Sequence, residues 1–361
     1  MSKRITIHYD DKPIYDIVIE NDYMSLADEI RAIGLDGRKI CVVSDSNVAP
    51  LYLDDLTNKL SKIGKIFSYT FNAGEESKTL ETVENLYEYL ILNHFERRDI
   101  LVALGGGVVG DLTGYAAATY LRGIDFIQVP TSLLAQVDSS IGGKTGVDFR
   151  SYKNMVGAFH MPRLVYMNLK VLDTLDDRLF NSGFGEIIKH GYIKNAEYLD
   201  YIENNISGIK AREYDVMEHI IYESCLIKAG VVERDPHEKG ERALLNFGHT
   251  LGHSIEKLCN FSKYHGECVV LGMICALDIC VNRNLISSDD YDRAIKLFAA
   301  FGFPLTITGI AAEEVIKVSK SDKKMENGSI KFCLLRGVGM GYIDRTVTDE
   351  ECLKALEKVL R

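Results

Sequence analysis

The chain has 361 residues, of which 46% are hydrophobic and 26% are charged, so it can form one large globular domain or two ordinary ones, and two is the better expectation at this length. Its formal charge is −10 and its acidic residues are spread along the chain, which argues against the basic surface that nucleic-acid binding requires. An anionic ligand would therefore have to meet a local cluster of basic side chains.

The N-terminus and the cysteines indicate a cytoplasmic protein with reduced thiols. The stretch MSKRITIHYDDK carries charges where a signal peptide needs an apolar core. The eight cysteines form no CxxC pair. The most apolar run, residues 268–281, contains Asp278 and is shorter than the roughly 20 residues that span a bilayer. We therefore expect a buried helix there and no membrane partner.

Short β-branched runs alternate with helical patterns in the first half of the chain, which is typical of βαβ units on a parallel sheet. The predicted strands are KICVVSD (39–45), KIFSYTF (65–71), DILVALG (99–105), IDFIQVP (124–130) and RLVYMNL (163–169). We therefore predict an α/β N-terminal domain with a Rossmann-like parallel sheet over residues 1–175.

Helical spacing dominates the second half of the chain. It predicts helices over 176–194, 197–209, 213–232, 245–259 and 268–284. A strand pair over 329–335 and 341–345 then precedes a final helix over 348–360. We therefore predict a mostly α-helical C-terminal domain over residues 176–361.

Residues 105–110, GGGVVG, match the GxGxxG pattern directly after a predicted strand and before a helical stretch. Glycines there let backbone N–H groups approach a pyrophosphate at a helix N-terminus. A tight βα turn explains the same glycines, and the motif does not follow a first strand. Asp45 in SDSN (44–47) ends an earlier strand, where it can serve either a ribose or an Asx-turn or helix cap.

The segment DSSIGGKTGVDFRSYKN (138–154) combines small residues with Lys144, Lys153 and Asn154. This composition is typical of a loop that wraps a polar anionic ligand, although solvated loop lysines give the same pattern. Lys78 in AGEESK and Arg122 in YLRG lie next to other predicted sheet-edge loops. We therefore expect these loops to converge on one ligand.

The stretch FGHTLGHSIE (247–256) places His249 and His253 one helical turn apart. If the helix reaches back to Arg242, a rotation of about 100° per residue puts Arg242, Asn246 and both imidazoles on one face. The neighbouring residues are apolar or glycine, which indicates a face that points into a cleft. A core imidazole bonded to a carbonyl is the alternative for either histidine.

An HxxxH pair can hold one metal ion, but the zinc-protease form needs Glu directly after the first His, and Thr250 stands there. His265 in YHGE opens the next predicted helix, and Glu186 in GFGEIIKHG starts a separate one. Glu, His and His from three elements would leave a divalent ion with open positions, which is the catalytic pattern. His190 and Asp235 are further candidate ligands that spacing does not rank.

With these residues in view, the chain resembles the 3-dehydroquinate synthase family of sugar-phosphate cyclases from about residue 42 to residue 342. The segments that carry the resemblance are AGEESK, GGGVVGDLTGYAAATYLRGI, QVPTSLLAQVDSSIGGKTGVD, KNMVGAFHMP, GFGEIIKHG, LLNFGHTLGHSIE, YHGE and SDKK, in the family's order and roughly its spacing. The resemblance implies an NAD-binding first domain, a metal- and substrate-binding second domain, an active site in the cleft between them, and a homodimer.

The resemblance also implies a role for each residue of the site. The implied ligands of a zinc or cobalt ion are Glu186, His249 and His265, so that His253 is not a ligand. The implied NAD contacts are Asp45, Asn47, Glu75, Lys78, Gly106, Gly107, Val108, Asp111, Thr131, Ser132, Lys153 and Thr174. The implied contacts of the substrate, 3-deoxy-D-arabino-heptulosonate 7-phosphate, are Arg122, Asp138, Lys144, Asn154, Lys189, Lys228, Arg242, Asn246, His253 and Lys323 or Lys324. Glu238 and His253 resemble the family's proton-transfer pair.

In the family's reaction NAD takes a hydride from the C5 carbinol, phosphate leaves by β-elimination, NADH returns the hydride, the ring opens, and an intramolecular aldol step closes the carbocycle. Cations such as Lys144 and Arg122, helped by Asn154 and His253, would stabilise the leaving phosphate. On this interpretation Gly248 and Gly252 clear side chains from beside the two imidazoles so that metal and substrate can approach.

The sequence departs from the family pattern at Tyr152, where many members have a glycine, and this leaves the path of the loop open. Three other functions fit part of the sequence. An NAD- and metal-dependent alcohol or glycerol dehydrogenase shares the glycine turn and the helical metal ligands but has no use for so many cations. Another sugar-phosphate cyclase would act on a different phosphorylated sugar, whereas KTGVD, KN and SDKK favour the dehydroquinate branch. A metal- or nucleotide-binding sensor would leave the proton-transfer residues unexplained.

Overall fold

The computed structural model describes residues 3–150, 152–238, 240–322 and 331–361. The chain divides into two compact units, Met1–Leu175 (unit 1) and Asp176–Arg361 (unit 2). Unit 1 is an α/β unit around a largely parallel sheet, and unit 2 is mostly helical. The predicted fold class is therefore confirmed.

Unit 1 is built on a seven-stranded sheet in the order β1-β2-β9-β6-β5-β3-β4. Its strands are β1 (Lys3–Tyr9), β2 (Lys12–Glu20), β3 (Lys39–Asp45), β4 (Lys65–Phe71), β5 (Ile100–Gly105), β6 (Asp125–Pro130) and β9 (Leu164–Asn168). All neighbours pair in parallel except β1, which runs antiparallel to β2 at one edge. The five strands expected from the sequence are present, and the β1–β2 hairpin was not predicted.

Helices cover both faces of this sheet, so its central strands β5 and β6 are almost entirely buried. The helices of unit 1 are α1 (Leu26–Ala32), α2 (Ala49–Leu60), α3 (Leu80–Leu92) and α4 (Gly107–Thr119). One core cluster joins α1 and α2 to the sheet, and a second joins α3 and α4 to the opposite face. The strand β5, ILVALG, is buried at every residue because it lies between these two cores.

The segment between β6 and β9 is structured, whereas the sequence suggested a ligand-wrapping loop over residues 138–154. A short π-type turn at Ala135–Ser139 is followed by a separate antiparallel hairpin of β7 (Lys144–Phe149) and β8 (Tyr152–Phe159). This hairpin packs on α4, where Thr145 lies against Gly114. The loop prediction was therefore wrong for most of this segment, because β-branched and aromatic residues here alternate with small ones on a half-buried hairpin.

Unit 2 contains the remaining helices and one small strand pair. Its elements are α5 (Asp177–Lys194), α6 (Ala196–Asn204), α7 (Ile206–Lys210), α8 (Tyr214–Arg234), α9 (His249–Leu258), α10 (His265–Asn282), α11 (Ser288–Ala300), α12 (Ala312–Asp322), β10 (Phe332–Leu335), β11 (Gly341–Asp344) and α13 (Asp349–Leu356). Side-chain caps fix several starts: Asp176 accepts from two backbone N–H groups of α5, and Ser287 and Thr348 begin α11 and α13 with capping boxes.

The helix α10 forms the centre of unit 2. By length and composition it could cross a membrane, but 83% of it is buried inside the unit. It packs against α5, α9, α11 and α13. The buried helix expected from the apolar run at residues 268–281 is therefore confirmed.

Candidate functional site

The expected cofactor residues of unit 1 follow the carboxyl ends of its parallel strands. The strand order β4-β3-β5 places β4 on one side of β3 and β5 on the other, so the chain reverses direction between β3 and β5. Ligands of doubly wound sheets bind in the crevice that such a reversal opens. The residues at or after these strand ends are Asp45, the last residue of β3, and Asn47 after it, Glu75 and Lys78 after β4, Gly106, Gly107 and Val108 after β5, Thr131 and Ser132 after β6, and Thr174 after β9.

The four glycines of GGGVVG serve two different purposes. A Cβ atom on Gly105 would lie 2.4 Å from a methyl carbon of Val109, and one on Gly110 would lie 2.6 Å from Gln128 Oε1, so these two glycines are needed for packing. At Gly106 and Gly107 the nearest atoms would be Ser132 Oγ at 3.4 Å and Ser139 Oγ at 3.2 Å. The surrounding protein leaves more space for a Cβ atom at these two positions, which cap and begin α4. Their small size suits a ligand phosphate at the helix N-terminus.

Lys78 ties three separate segments of unit 1 together. Its Nζ donates to Asp111 Oδ2 at 2.7 Å and to Asn154 Oδ1 at 2.5 Å, and its side chain is only 5% exposed. Burial opposes the charge on Lys78, but Asp111 and Glu75 outweigh it and raise the Lys78 pKa, while burial raises the pKa of Asp111. The sequence assigned Lys78 and Asp111 to NAD and Asn154 to the substrate, and the structure brings all three into contact.

Other expected cofactor residues have structural partners as well. Asp45 Oδ1 accepts from the backbone N–H groups of Asn47 and Val48 at 2.9 Å each, so the Asx-turn considered for Asp45 is present. A carboxylate has a second oxygen, so this turn is compatible with a ribose contact. Thr174 contacts the Tyr52 hydroxyl, and Lys153 Nζ lies 3.7 Å from Glu75 Oε1.

Tyr152, the departure from the family pattern, begins β8 opposite Phe149. Tyr152 is not among the described residues with positive φ, whereas Arg150 and Asn154 are, at 56° and 53°. The hairpin therefore makes its left-handed turns beside Tyr152 and not at it. The aromatic side chain is 48% exposed and leaves the Lys78–Asn154 contact intact.

Arg122 does not join the other basic residues at the carboxyl edge of the sheet. It follows α4 and precedes β6, so it lies at the amino ends of the parallel strands. A six-residue strand is about 17 Å long, so Arg122 is separated from the residues after β6 by roughly the length of that strand. The convergence expected of Lys78 and Arg122 was therefore wrong for unit 1. Arg122 is exposed with φ of 70°.

Two further expected substrate contacts of unit 1 lie on the segment after β6. Asp138 lies in the π-type turn, and it is close enough to Asp111 for the two charges to interact. Lys144 begins β7, where its side chain is exposed. The structure therefore places Asp138 beside α4 and Lys144 at the far end of the hairpin from Asn154.

In unit 2, Glu186, His249 and His265 meet at one point. Glu186 is fully buried in the middle of α5, not at a helix start as expected, while His249 and His265 are the first residues of α9 and α10. Glu186 Oε1 lies 3.4 Å from His249 Nε2 and 3.3 Å from His265 Nε2. Its other oxygen, Oε2, contacts Lys189 Nζ.

These distances fit a divalent metal site. Zinc bonds nitrogen and oxygen ligands at about 2.0–2.2 Å, so tetrahedral ligands lie about 3.4 Å apart. Glu186 Oε1 is buried and makes no well-directed hydrogen bond within the described part of the chain. A cation between Oε1 and the two Nε2 atoms would satisfy that oxygen. Three ligands leave further positions open, as catalytic sites require.

Burial and neighbouring charges shift the pKa values of the three residues at this point in different directions. Burial opposes ionisation of Glu186, but Lys189 and the imidazoles outweigh it and hold the pKa of Glu186 well below its usual range. Burial lowers the pKa of His249. Burial also works against the charge of His265, yet Glu186 and Glu256 beside its ring raise its pKa to about 10. The carboxylates thus provide the negative charge that a divalent cation needs.

His253 lies one turn along α9 from His249, and their ring centroids are 4.8 Å apart. The ring of His265 is 5.5 Å from that of His253, and one nitrogen from each of the three histidines lies within 4.8 Å of the others. Proximity alone would therefore allow a three-histidine site. Glu186 Oε1 lies within 3.4 Å of the Nε2 atoms of His249 and His265, which favours those two as its co-ligands.

The helix that carries these histidines does not reach back to Arg242, so the single polar face expected from the sequence is wrong. A 3-10 segment over Glu241–Asn246 precedes α9, and Gly248 interrupts the helix with φ of 80°. Asn246 instead donates to Glu238 Oε1 at 3.0 Å, and Arg242 donates to the Pro236 carbonyl at 2.6 Å.

Asp235, a candidate ligand in the sequence, organises the loop before α9. Its Oδ2 accepts from the backbone N–H groups of Gly240 at 2.7 Å and Arg242 at 3.0 Å. His190, the other candidate, is fully buried with Nδ1 2.7 Å from Ser224 Oγ. The two hydrogen bonds that Asp235 accepts fix the segment on which Glu238 lies.

Unit 2 buries three of the expected substrate cations. Lys189, Lys228 and Arg242 are 1%, 5% and 2% exposed, although such side chains are almost never fully buried without a partner. Lys189 has Glu186 as its partner, because its Nζ contacts Glu186 Oε2. Lys323 and Lys324 lie outside the described residues.

The glycines beside the imidazoles have a different purpose from the one expected. A Cβ atom on Gly248 would lie 2.6 Å from Met273 Cγ and from the Val269 carbonyl oxygen, and one on Gly252 would lie 2.6 Å from the Cys268 carbonyl oxygen. Both glycines therefore let α9 pack closely on α10. They do not clear space for a ligand.

Glu256 is a residue of this site that the sequence reasoning missed. It is 5% exposed, and its Oε2 lies 3.4 Å from His265 Nδ1. The signal was present in the sequence, because residues 249, 253 and 256 share one helical face at spacings of four and three. The spacing does not show that this carboxylate meets His265, because that contact depends on how α9 packs on α10.

Comparisons with known proteins identify the family of this chain. The family model for the N-terminal part of 3-dehydroquinate synthase matches residues 68–182, and the model for its C-terminal part matches residues 183–325. The 3-dehydroquinate synthase of Acetivibrio thermocellus is 41% identical over 341 residues, which cover 94% of each chain.

Solved structures of related cyclases have the same fold. A 2-deoxy-scyllo-inosose synthase, crystallised with carbaglucose-6-phosphate, NAD+ and Co2+, is 27% identical with a TM-score of 0.89 over 99% of this chain and 100% of that one. The 2-epi-5-epi-valiolone synthase of Streptomyces hygroscopicus, with NAD+ and Zn2+ bound, is 25% identical with a TM-score of 0.89 over 97% and 98%. Identity is thus higher to the dehydroquinate branch than to these cyclases. The chain belongs to the 3-dehydroquinate synthase family.

Proposed function

We propose that this chain converts 3-deoxy-D-arabino-heptulosonate 7-phosphate to 3-dehydroquinate and phosphate, the carbon–oxygen lyase reaction of the shikimate pathway that gives its family its name. The observation that carries the proposal is the convergence of Glu186, His249 and His265 at ligand spacing. Family membership supports the reaction itself. A dehydrogenase is not favoured, because the matched models and the relative at 41% identity are synthases.

The cofactors are NAD and a divalent ion, zinc or cobalt, in keeping with the ligands of the related cyclases. When bound, NAD would supply reversible hydride transfer, so that the overall reaction has no net redox change. The divalent ion supplies Lewis acidity at a substrate oxygen. For NAD we assign the residues at the carboxyl edge of the sheet together with Asp111 and Lys153, and for the ion we assign Glu186, His249 and His265.

The remaining residues bind and orient the substrate or move its protons. Asn154 and Lys78 share a hydrogen bond, so the hairpin can couple the substrate contact to the cofactor contact. Glu238, held by Asn246, and His253 form the proposed proton-transfer pair. The proposed substrate contacts are Asp138, Lys144, Asn154, Lys189, Lys228, Arg242, Asn246, His253 and Lys323 or Lys324. Arg122 is not among them, because it lies at the amino ends of the parallel strands.

We also propose that the protein is a cytoplasmic homodimer that binds neither nucleic acid nor a membrane. All eight cysteines are free, and seven of them are buried, which suits a reducing compartment. The net charge of −10 supports the expectation about nucleic acid.

The activity is tested with the full chain, the heptulosonate phosphate, cobalt or zinc, and a trace of NAD. We expect phosphate release to exceed the NAD supplied many times over without accumulation of NADH, because each hydride returns to the substrate. NADH that accumulates in proportion to product would contradict the proposal and indicate a dehydrogenase.

A second assay separates this function from those of the related cyclases. The heptulosonate phosphate is compared with glucose 6-phosphate and sedoheptulose 7-phosphate at equal concentrations. We expect the highest kcat/KM for the heptulosonate, since only this substrate offers a carboxylate to the buried cations Lys228 and Arg242. Faster turnover of either other sugar would move the chain to another branch.

A further inference from the structure

We infer that Glu256 is a positioning residue of the metal site, because its carboxylate holds the His265 ring with Nε2 directed at the position shared with Glu186 and His249. The inference rests on the metal centre of the proposed function. It concerns a residue that contacts the Nδ1 atom of His265 and acts on the metal site through that ring.

The two ring nitrogens of His265 contact different carboxylates. Nε2 lies 3.3 Å from Glu186 Oε1, and Nδ1 lies 3.4 Å from Glu256 Oε2. Glu256 is the seventh residue after His249 on α9. Its backbone is therefore fixed by the same helix that carries His249. The ring of His265 is thereby held from both sides.

His265 needs such support because it is the first residue of α10. A helix N-terminus lacks the preceding turn against which a side chain would pack, so the ring orientation depends on its other contacts. His249 has the same position in α9, and its Nδ1 lies 3.1 Å from the Phe247 carbonyl oxygen. Each imidazole therefore has one oxygen partner at Nδ1 and presents Nε2 to Glu186 Oε1.

A carboxylate at Nδ1 does more than a carbonyl would. It accepts a hydrogen bond from the Nδ1–H group, which selects the tautomer with a lone pair on Nε2. Its negative charge also makes that lone pair a stronger donor to a cation. Because Glu256 is only 5% exposed, water screens this effect little. Loss of such a partner typically weakens metal binding by about 10–100-fold.

The test measures cobalt(II) affinity of the full chain in metal-buffered solution, followed by the visible absorption of the bound ion. We expect Glu256→Gln to weaken cobalt binding by about 10–100-fold and to change the spectrum, while the melting temperature of the metal-free protein changes little. The matched control is Asp278→Asn, another buried carboxylate of unit 2, which accepts from Asn282 on α10. It should bind cobalt as the unchanged protein does.

Cobalt affinity and spectrum of Glu256→Gln equal to those of the unchanged protein would overturn the inference while leaving the metal centre in place. Absence of cobalt binding in the unchanged protein would overturn the metal centre itself. If Glu256→Gln does not fold, Glu256→Asp decides, because it keeps the charge and withdraws the carboxylate by one methylene group. Weaker cobalt binding in Glu256→Asp supports the inference, and unaltered binding overturns it.

Discussion

Glu186 divides its two carboxylate oxygens between different partners. Oε2 contacts Lys189, three residues along α5, and Oε1 faces the imidazoles of His249 and His265. The ion pair fixes the carboxylate in a fully buried place, where an isolated charge would be very costly. Lys189 therefore has a structural task besides its proposed substrate contact.

We expect His249 and His253 to differ in task, although they lie one turn apart on α9. We expect His249→Ala to lose bound metal, because it removes a ligand nitrogen 3.4 Å from Glu186 Oε1. His253→Ala should keep the metal but lower turnover by about 10²–10⁴-fold, the usual contribution of a proton-transfer group. Metal content after dialysis and turnover at saturating metal measure the two effects. Equal metal loss in both variants would contradict this division.

Lys78 offers a test of a buried ion pair in unit 1. Lys78→Met leaves Asp111 without its cation, and breaking one side of such a pair costs about 3 kcal/mol or more of unfolding free energy. Adding Asp111→Asn removes the unpaired charge, so the double variant should be more stable than Lys78→Met alone. Urea unfolding of the two single variants and the double variant measures this coupling. Strictly additive losses would mean that the contact is energetically unimportant.

Glycines allow close approach among the three helices of unit 2 that carry the proposed metal ligands. Each ligand has a glycine neighbour: Gly185 precedes Glu186, Gly248 precedes His249, and Gly266 follows His265. A Cβ atom on Gly185 would lie 2.9 Å from Gly266 Cα, and one on Gly266 would lie 1.9 Å from the Ser182 carbonyl oxygen. Because the helix backbones are in contact at these crossings, the side chains of Glu186, His249 and His265 can reach a common point.

Gly266→Ala should therefore disturb both packing and metal binding. We expect a loss of about 3 kcal/mol in unfolding free energy, as for an overpacked core, and at least a tenfold loss of cobalt affinity. The control is Gly230→Ala on α8, where a Cβ atom would meet only the flexible end of Arg234 at 3.2 Å. Alanine favours helices, so this variant should be unchanged or more stable by up to about 1 kcal/mol. If Gly266→Ala keeps the cobalt affinity of the unchanged protein, the close helix contact at Gly266 is not needed for metal binding.

The sequence predicted the elements with strong periodicity and missed those whose form depends on distant partners. Buried parallel strands and long helices have local patterns, so β3, β4, β5, β6 and β9 and most helices of unit 2 were found. The β7–β8 hairpin is stabilised by packing on α4, which no local pattern reveals. The break at Gly248 depends on close approach to α10. For this reason the helix predicted from residue 245, and considered from Arg242, begins only at His249.

For the molecule as a whole, the site could be predicted as a set of residues but not as a geometry. Family motifs supplied the ligand candidates, and strand order explains why the cofactor candidates share one edge of the sheet. The position of Arg122 at the opposite edge follows only from the path of the chain through α4 into β6. Glu256 required knowledge of which imidazole nitrogen faces which oxygen, and that is a property of the packed helices.

The thiols report on the folding of the whole chain. Seven of the eight cysteines are buried, and burial raises the pKa of Cys41 and of Cys225 to about 12, whereas Cys259 is partly exposed. We expect dithionitrobenzoate to modify about one thiol rapidly in the native protein, since the thiolate is the reactive form, and the others only on unfolding. Cys259→Ser should abolish the rapid phase, and metal removal should not change the count. Several rapid thiols in the native protein would contradict the described packing.

The central helix α10 also has a consequence during synthesis. Its composition is that of a membrane-crossing segment, yet one of the helices that covers it, α13, is made later in the chain. At translation rates of about 5–20 residues per second, the ribosome needs several seconds to add that cover. During this interval the nascent chain presents a long apolar surface to chaperones and to the machinery that recognises membrane segments. Rapid packing of α10 against α5 and α9, which are made first, would shorten that exposure.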